Sequence, residues 1–346
     1  MALVSNDHLS IDIASNIAAI TTVWEVSTAW LPVRSRWRHG LVPIYEGLPV
    51  DHNRKRFTRF NQVAPVTSEF KLTPARTDAD VSQAKHALIT GSSRGIGRGI
   101  ALKLAEGGAT IAVHYYQNET AAKETLGMIK ERGADGAIFQ ADVTKPDQIE
   151  RLFKEVRSRF PSLDIFVSNA RPEAVHFFYP PADITLEQMD AAFDSQVKGF
   201  VVGAREAGKM MSKGGRIIAI TYGTGSRTGG LLPWVAMGSA KAAMESLVRY
   251  FAVAFAKRGI TVNAISPAWT EDSVFNSLPE SMQKLIRDWH QQGWTPMRRL
   301  GTPADVGDVV SLFCSPQANW ITGQVIFADG GASLMNPEVP PEIQLG

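Results

Sequence analysis

The sequence has a single cysteine, Cys314, which excludes an intramolecular disulfide and any thiolate-rich metal cluster. That usage suits a reducing compartment. Charge of one sign is lacking too: 36 lysines and arginines against 34 aspartates and glutamates leave a formal charge of +2 over 346 residues. Such a balance gives no global field to draw the chain onto nucleic acid or an anionic membrane, so neither is an expected partner. No run approaches the roughly 18 consecutive apolar residues of a spanning helix. The opening stretch MALVSNDHLSIDIASNIAAITTVW places Asp7 and Asp12 where a secretory signal carries positive charge, and no arginine precedes Arg34, against a transit peptide. A cytoplasmic protein is the expectation. Among the seven histidines there is no metal-ligand spacing, and Ser239 has no nucleophile elbow, so neither a metal site nor hydrolase chemistry is expected.

What is present is a composition able to bury a sizeable core, 44% hydrophobic and 20% charged. The pattern changes near residue 84. Residues 1–83 show no sustained period, concentrate arginines from Arg34 to Arg59 and are broken by Pro32, Pro43, Pro49, Pro65 and Pro74. This segment reads as an irregular extension, either loosely ordered or the result of a start site assigned too far upstream, or else an arm that packs on a neighbouring subunit or binds a partner through its arginines. Residues 84–346 read as one domain, in which short β-branched runs alternate with amphipathic stretches: HALIT, a helix over 96–105, TIAVHYY, a helix over 121–132, GAIFQADV, a helix over 149–159 and LDIFVSNA. A single long helix over 186–211, GRIIAIT, a helix over 237–257, ITVNAISP and GQVIFADGG follow. The alternation predicts an α/β Rossmann-type doubly wound parallel sheet with helices on both faces. Ligands of such sheets bind beyond the carboxyl ends of the strands.

Directly after HALIT stand Gly91, Ser92, Ser93, Arg94, Gly95, Ile96 and Gly97, and then a helix. Glycines at this spacing allow a tight strand-to-helix turn and let backbone N–H groups approach a pyrophosphate. Gly91, Ser93, Gly95, Ile96 and Gly97 are therefore candidate dinucleotide ligands. The second strand ends at His114 with no carboxylate before Glu119, so nothing repels a ribose 2′-phosphate, and Arg94 in the turn can pair with one. The expected cofactor is NADP(H).

The turn TGSSRGIG, with Ala141-Asp142-Val143, Ser168-Asn169-Ala170, Lys241 within MGSAKAAMESLVRYFA, VNAISP and RRLGTPADVGDVV, resembles the short-chain dehydrogenase/reductase family over about residues 84–335. The resemblance implies that Asp142 and Val143 flank the adenine and that Asn169, Ala170 and the segment ending at Pro267 lie along the cofactor. It further implies that Lys241 bonds the nicotinamide ribose and that the protein is a homodimer or homotetramer.

Several positions depart from the family pattern. Met237 stands four residues before Lys241 where the family carries its proton-donating tyrosine, and Tyr222 follows the GRIIAI strand where a serine is usual. Gln196 replaces the asparagine of a water relay, Arg171 follows Asn-Ala where glycine is expected, and Ala268 follows Pro267. The pairing of Ile220-Thr221-Tyr222-Gly223 with Met237-Gly238-Ser239-Ala240-Lys241 is similar to the enoyl-acyl-carrier-protein reductase branch, which has its tyrosine where Trp234 stands here.

Tyr222, Trp234 and Lys241 are accordingly the candidate catalytic residues, with Tyr222 read either as a hydrogen-bond donor or as an aromatic filling its loop. Tyr179 is a substitute acid should Tyr222 point away. Residues 268–295 form the expected lid, whose apolar side chains, with Phe177, Phe178 and Trp234, suggest a hydrophobic pocket, the alternative being that Trp289 and Trp294 anchor the lid helix to the body. The expected activity is NADPH-dependent reduction of an activated C=C bond, as in an enoyl thioester, or of a carbonyl on a hydrophobic substrate. A noncatalytic nucleotide-binding scaffold is the alternative.

Overall fold

The computed structural model describes residues 85–171, 179–212, 214–222, 234–272, 274–335 and 339–345. The chain divides into the units Met1–Phe70 and Lys71–Gly346, and every described residue belongs to the second. The expected extension over 1–83, Phe177, Phe178 and the lid's Ser273 lie outside the described residues.

Seven strands fall among the described residues: β1 (His86–Ile89), β2 (Thr110–Tyr115), β3 (Gly136–Gln140), β4 (Ile165–Ser168), β5 (Arg216–Ile220), β6 (Thr261–Pro267) and β7 (Val325–Ala328). They form one sheet of order β3-β2-β1-β4-β5-β6-β7 with every pair parallel. The helices are α1 (Gly95–Glu106), α2 (Glu119–Glu131), α3 (Pro146–Arg159), α4 (Leu186–Phe193), α5 (Gly199–Met210), α6 (Val235–Phe255), α7 (Glu280–Trp289), α8 (Pro303–Cys314) and α9 (Pro341–Gln344). No helix of the described residues is long and apolar enough to cross a membrane.

Strands that are apolar on both sides need cover on both faces, and two cores provide it. Phe153, Phe200 and Met244 of α3, α5 and α6 pack on one face, while Ile100, Ile129 and Val310 of α1, α2 and α8 pack on the other. This is the doubly wound sheet that the alternation predicts. Winding proceeds outward from β1 through β2 and β3, then resumes on its other side with β4. A crevice therefore opens beyond the carboxyl ends of β1 and β4.

The stretch expected as one helix over 186–211 is broken. A π-turn, Asp194–Lys198, separates α4 from α5. Ser195 Oγ donates back to the carbonyls of Ala191 and Ala192 at 3.1 Å each, a local bond that competes with the regular ladder and bends helices. The extra residue of the π-turn alters the direction of the side chains within it, and such turns concentrate at functional sites.

Candidate active site

A cavity of about 990 Å³ fills the crevice, at the upper end of the range for small-molecule sites. At one end is the turn between β1 and α1. Gly91 and Gly95 adopt φ of 68° and 57°, the left-handed region that favours glycine. Gly97 is demanded by space: a Cβ there would stand 2.3 Å from the Gly91 carbonyl oxygen and 2.6 Å from Asn169 Nδ2. No side chain caps α1, and Gly95, Ile96 and Gly97 of its first turn line the cavity. Uncapped N–H groups with the helix dipole behind them form a seat for phosphate, so these residues fit a dinucleotide.

The turn is braced from beneath. The Arg98 guanidinium donates to the Ser93 carbonyl from Nε at 3.1 Å and Nη2 at 2.7 Å, and Thr125 Oγ1 donates to the same oxygen at 2.9 Å. Thr90, passed over in the sequence reading, accepts the N–H groups of Asn169 and Ala170 on its hydroxyl at 2.9 and 3.0 Å. Asn169 returns its side-chain amide to the carbonyls of Thr90 and Gly91. The cofactor turn and the end of β4 are thus one hydrogen-bonded unit. Asp142 lines the cavity, and its carboxylate accepts from the backbone N–H and hydroxyl of Thr144.

His114 is a strut beneath the turn. Its Nδ1 accepts the Gly91 N–H at 2.9 Å, while Nε2 lies 3.1 Å from the Ala141 carbonyl and donates to it. This assigns the neutral Nε2–H tautomer, and burial drives the imidazole pKa down to about 4. An unfolded chain takes up this proton near the ordinary 6.5 and the folded protein only near 4. His114 therefore contributes full stability above 6.5, loses it as pH falls from 6.5 toward 4, and levels off below that. The loss amounts to about 3 kcal/mol. Urea midpoints at pH 7 and pH 5 will show this slope, and His114→Asn will lack it; an equal slope in the variant assigns the effect elsewhere.

No carboxylate follows β2 closely. Glu119 does line the cavity, but Lys123 holds its carboxylate at 2.8 Å. Arg94 is exposed at the cavity edge, where a 2′-phosphate would be matched by its charge.

At the opposite end Ile220, Thr221, Tyr222, Trp234, Met237 and Lys241 line the same space. The Tyr222 and Trp234 rings stack with centroids 5.5 Å apart and planes inclined by 26°. Thr221 has a buried hydroxyl without a hydrogen-bond partner among the described residues. Lys241 is only 5% exposed, and its ammonium donates to Gln196 Oε1 and to the Ile220 carbonyl, both at 2.6 Å. Burial, assisted by the charge of Arg171 and opposed by Glu245, pushes its pKa down to about 7. Tyr179 meets Trp234 through a backbone bridge and is not among the lining side chains.

Pro267 and Ala268 continue the wall, joined by Trp269, Thr270, Asp272, Val274 and Phe275 of the lid. The apolar residues of α7 are not part of this lining. Trp289, half-exposed, packs on Trp294 at 5.1 Å, a contact within the lid itself.

A family model described as Enoyl-(Acyl carrier protein) reductase matches residues 91–333, more than half of the chain. The 1-cyclohexenylcarbonyl-CoA reductase of Streptomyces collinus is 38% identical over 258 residues, covering 72% of this chain and 88% of that protein. A tetrahydroxynaphthalene reductase of Pestalotiopsis fici, PfmaG, is 34% identical over 71% of this chain and 91% of its own. Among solved structures, the angucycline C-6 ketoreductase LanV with bound NADP superposes with a TM-score of 0.66 at 32% identity, covering 74% of this chain and 98% of that one. These relatives are reductases, and the one of known structure carries its NADP on the fold described above. Sequence and architecture agree that this chain belongs to the short-chain dehydrogenase/reductase family and is an oxidoreductase that uses NADP(H).

Proposed function

We propose that the enzyme reduces the C=C bond of an enoyl thioester with an apolar acyl group. Met237 carries this reading. It lines the cavity at 2% exposure, one helical turn from Lys241, and a thioether has no proton to give. Reduction of a ketone leaves an alkoxide that must be protonated as it forms. Conjugate reduction instead adds hydride at the β-carbon and builds charge on the thioester carbonyl oxygen as an enolate, for which a positioned donor and a nearby cation suffice. The α-carbon takes its proton from water in a later step. The bound nicotinamide supplies the hydride.

The residues present suit that task. Tyr222 lines the cavity and carries a phenolic O–H, and the Trp234 ring stacked on its face restricts the rotamers open to it. Lys241 adds positive charge from the wall. Trp269 and Val274 of the lid, with Trp234, give the cavity the apolar surface an acyl chain needs. The Streptomyces collinus relative, whose name specifies a cyclic enoyl-CoA, supports the assignment, whereas relatives named for ketone chemistry favour a carbonyl substrate.

The discriminating experiment supplies NADPH with cyclic and straight-chain enoyl thioesters and, separately, with aromatic ketones. The thioesters are the expected substrates. Tyr222→Phe is expected to slow their turnover about 10²- to 10³-fold, the range for loss of one oxyanion donor. Oxidation of NADPH by ketones alone would replace the proposal with the carbonyl reading, and unchanged turnover in Tyr222→Phe would remove that hydroxyl from the mechanism.

A further inference from the structure

A second cavity, of about 360 Å³, lies beside the lid. It shares a wall with the first. The stem of the lid is held by a bridge between Thr270 and Gly301: the Glu271 N–H donates to the Gly301 carbonyl at 2.9 Å, and the Gly301 N–H to the Trp269 carbonyl at 3.0 Å. Side chains of an extended stem alternate, so Thr270 and Asp272 line the main cavity while Glu271, between them, lines the second. None of the cofactor or catalytic residues named above lines it.

Its character is cationic. Arg287, Arg298 and Arg299 share it with two carboxylates, those of Glu271 and Asp305. Both carboxylates are taken. Arg299 grips Asp305 with Nη1 and Nη2 at 2.8 Å each, and Arg287 Nε donates to Glu271 Oε1 at 2.9 Å. Arg298 is the cation in excess: its side chain makes no hydrogen bond or ion pair among the described residues, nor do the Nη groups of Arg287 or the Gln291 amide. The backbone adds a second sign. Arg298 has φ of 56° and is the one non-glycine residue in the left-handed region among the described residues. Glycine and asparagine are the ordinary occupants of that region, and side chains held there against the strain concentrate at ligand sites.

We propose that this cavity is a phosphate site, separate from the pyrophosphate seat at α1. A phosphate oxyanion balances the excess cation and takes the N–H groups that Arg298, Arg287 and Gln291 leave unused. Two sources carry such a group: free phosphate, and the phosphorylated carrier on which an acyl thioester arrives. The carrier rests on the enoyl-thioester reading, and the packing favours it. The Arg287 guanidinium lies over the Phe275 ring at 4.7 Å, and Phe275 meets Trp269, in the wall of the main cavity, edge-on at 6.4 Å. A phosphate on Arg287 is thus two side chains away from the acyl pocket.

The test uses full-length protein saturated with NADP, which fills the pyrophosphate seat, and calorimetry at low ionic strength, where exposed charges are least screened. The probes are inorganic phosphate, coenzyme A and pantetheine, the last without phosphate. Arg298→Asn removes the cation and suits the left-handed backbone. Phosphate and coenzyme A are expected to bind, and to bind at least about 10-fold more weakly to Arg298→Asn, the size of one charge-assisted hydrogen bond. Pantetheine should show no such difference. Arg157→Asn, an exposed position on α3 across the sheet from α8, should leave both anions bound as in wild type. Binding of neither anion, undiminished binding in Arg298→Asn, or an equal loss in Arg157→Asn overturns the proposal. Turnover distinguishes the source. Between an enoyl-CoA and its N-acetylcysteamine analogue, which has no phosphate, the ratio of kcat/KM values should fall about 10-fold in Arg298→Asn. Binding of phosphate alone, or an unchanged ratio, would keep the site and remove the carrier as its source. Absence of turnover with either ester would remove the enoyl-reductase reading, while the calorimetry still decides the phosphate site.

Discussion

Gly97→Ala should abolish usable NADPH binding, raising its Kd at least about 100-fold while leaving a folded protein. The reason is the space available. A β-carbon at this position would lie 2.3 Å from the Gly91 carbonyl oxygen, which is backbone and cannot rotate aside, and 2.6 Å from Asn169 Nδ2. Relief requires the β1–α1 turn to lift from the end of β4, which breaks the Asn169 bonds to the Thr90 and Gly91 carbonyls. The N–H groups of Gly95 to Gly97 would then no longer converge on one anion. Overpacking of this kind typically costs about 1–3 kcal/mol, and a 100-fold loss of affinity corresponds to about 2.7 kcal/mol. Both quantities are accessible: thermal unfolding without cofactor gives the first, and titration of cofactor fluorescence gives the second. An NADPH affinity within threefold of wild type would show that the phosphate site does not depend on this close approach.

Lys241→Met should reduce turnover about 10²- to 10³-fold even at saturating NADPH. Its ammonium is the buried cation on the wall shared with Tyr222, and a charge held by fixed partners stabilises a forming enolate more than a charge in bulk water would. Methionine fills similar volume without charge, so lost packing is a minor part of the effect. It leaves Gln196 Oε1 and the Ile220 carbonyl without their shared donor, a cost that falls on folding as well as on catalysis. Single-turnover kinetics with pre-bound NADPH separates the two. A full-sized effect on kcat places the charge in the transition state, whereas an effect confined to cofactor affinity would reduce Lys241 to a binding group.

The parts of this molecule that could be read before folding are those in which a residue type has few possible uses. Glycines at 91, 95 and 97 after a buried strand imply a backbone that must bend sharply and pass close to something. Alternating strands and helices leave little choice but a parallel sheet with its ligand at the switch point. His114 was harder, because a histidine ending a strand looks like a residue facing a ligand. Only the geometry reveals that its ring is buried and carries the Gly91 N–H. Gln196 was visible as a departure, yet its contact was not, since the 3.6-residue period runs smoothly through 186–211 and does not mark where a π-turn intervenes. Thr90 left no signal beyond its place before Gly91. The tryptophans of the lid were ambiguous for a different reason: a large apolar side chain near a site can cover it or brace what covers it, and Trp289 and Trp294 pack on each other outside the lining of the cavity.

The π-turn also bears on how this chain can change through descent. Each residue of a regular helix advances the side chains by about 100°, so the additional residue between α4 and α5 works as an angular offset between two otherwise ordinary helices. Deleting one residue anywhere in Asp194–Lys198 would yield a more regular helix and swing the amide at 196 away from α6. The extra residue is thus a point at which a single deletion should keep the sheet and its cores while parting the amide from the ammonium of Lys241.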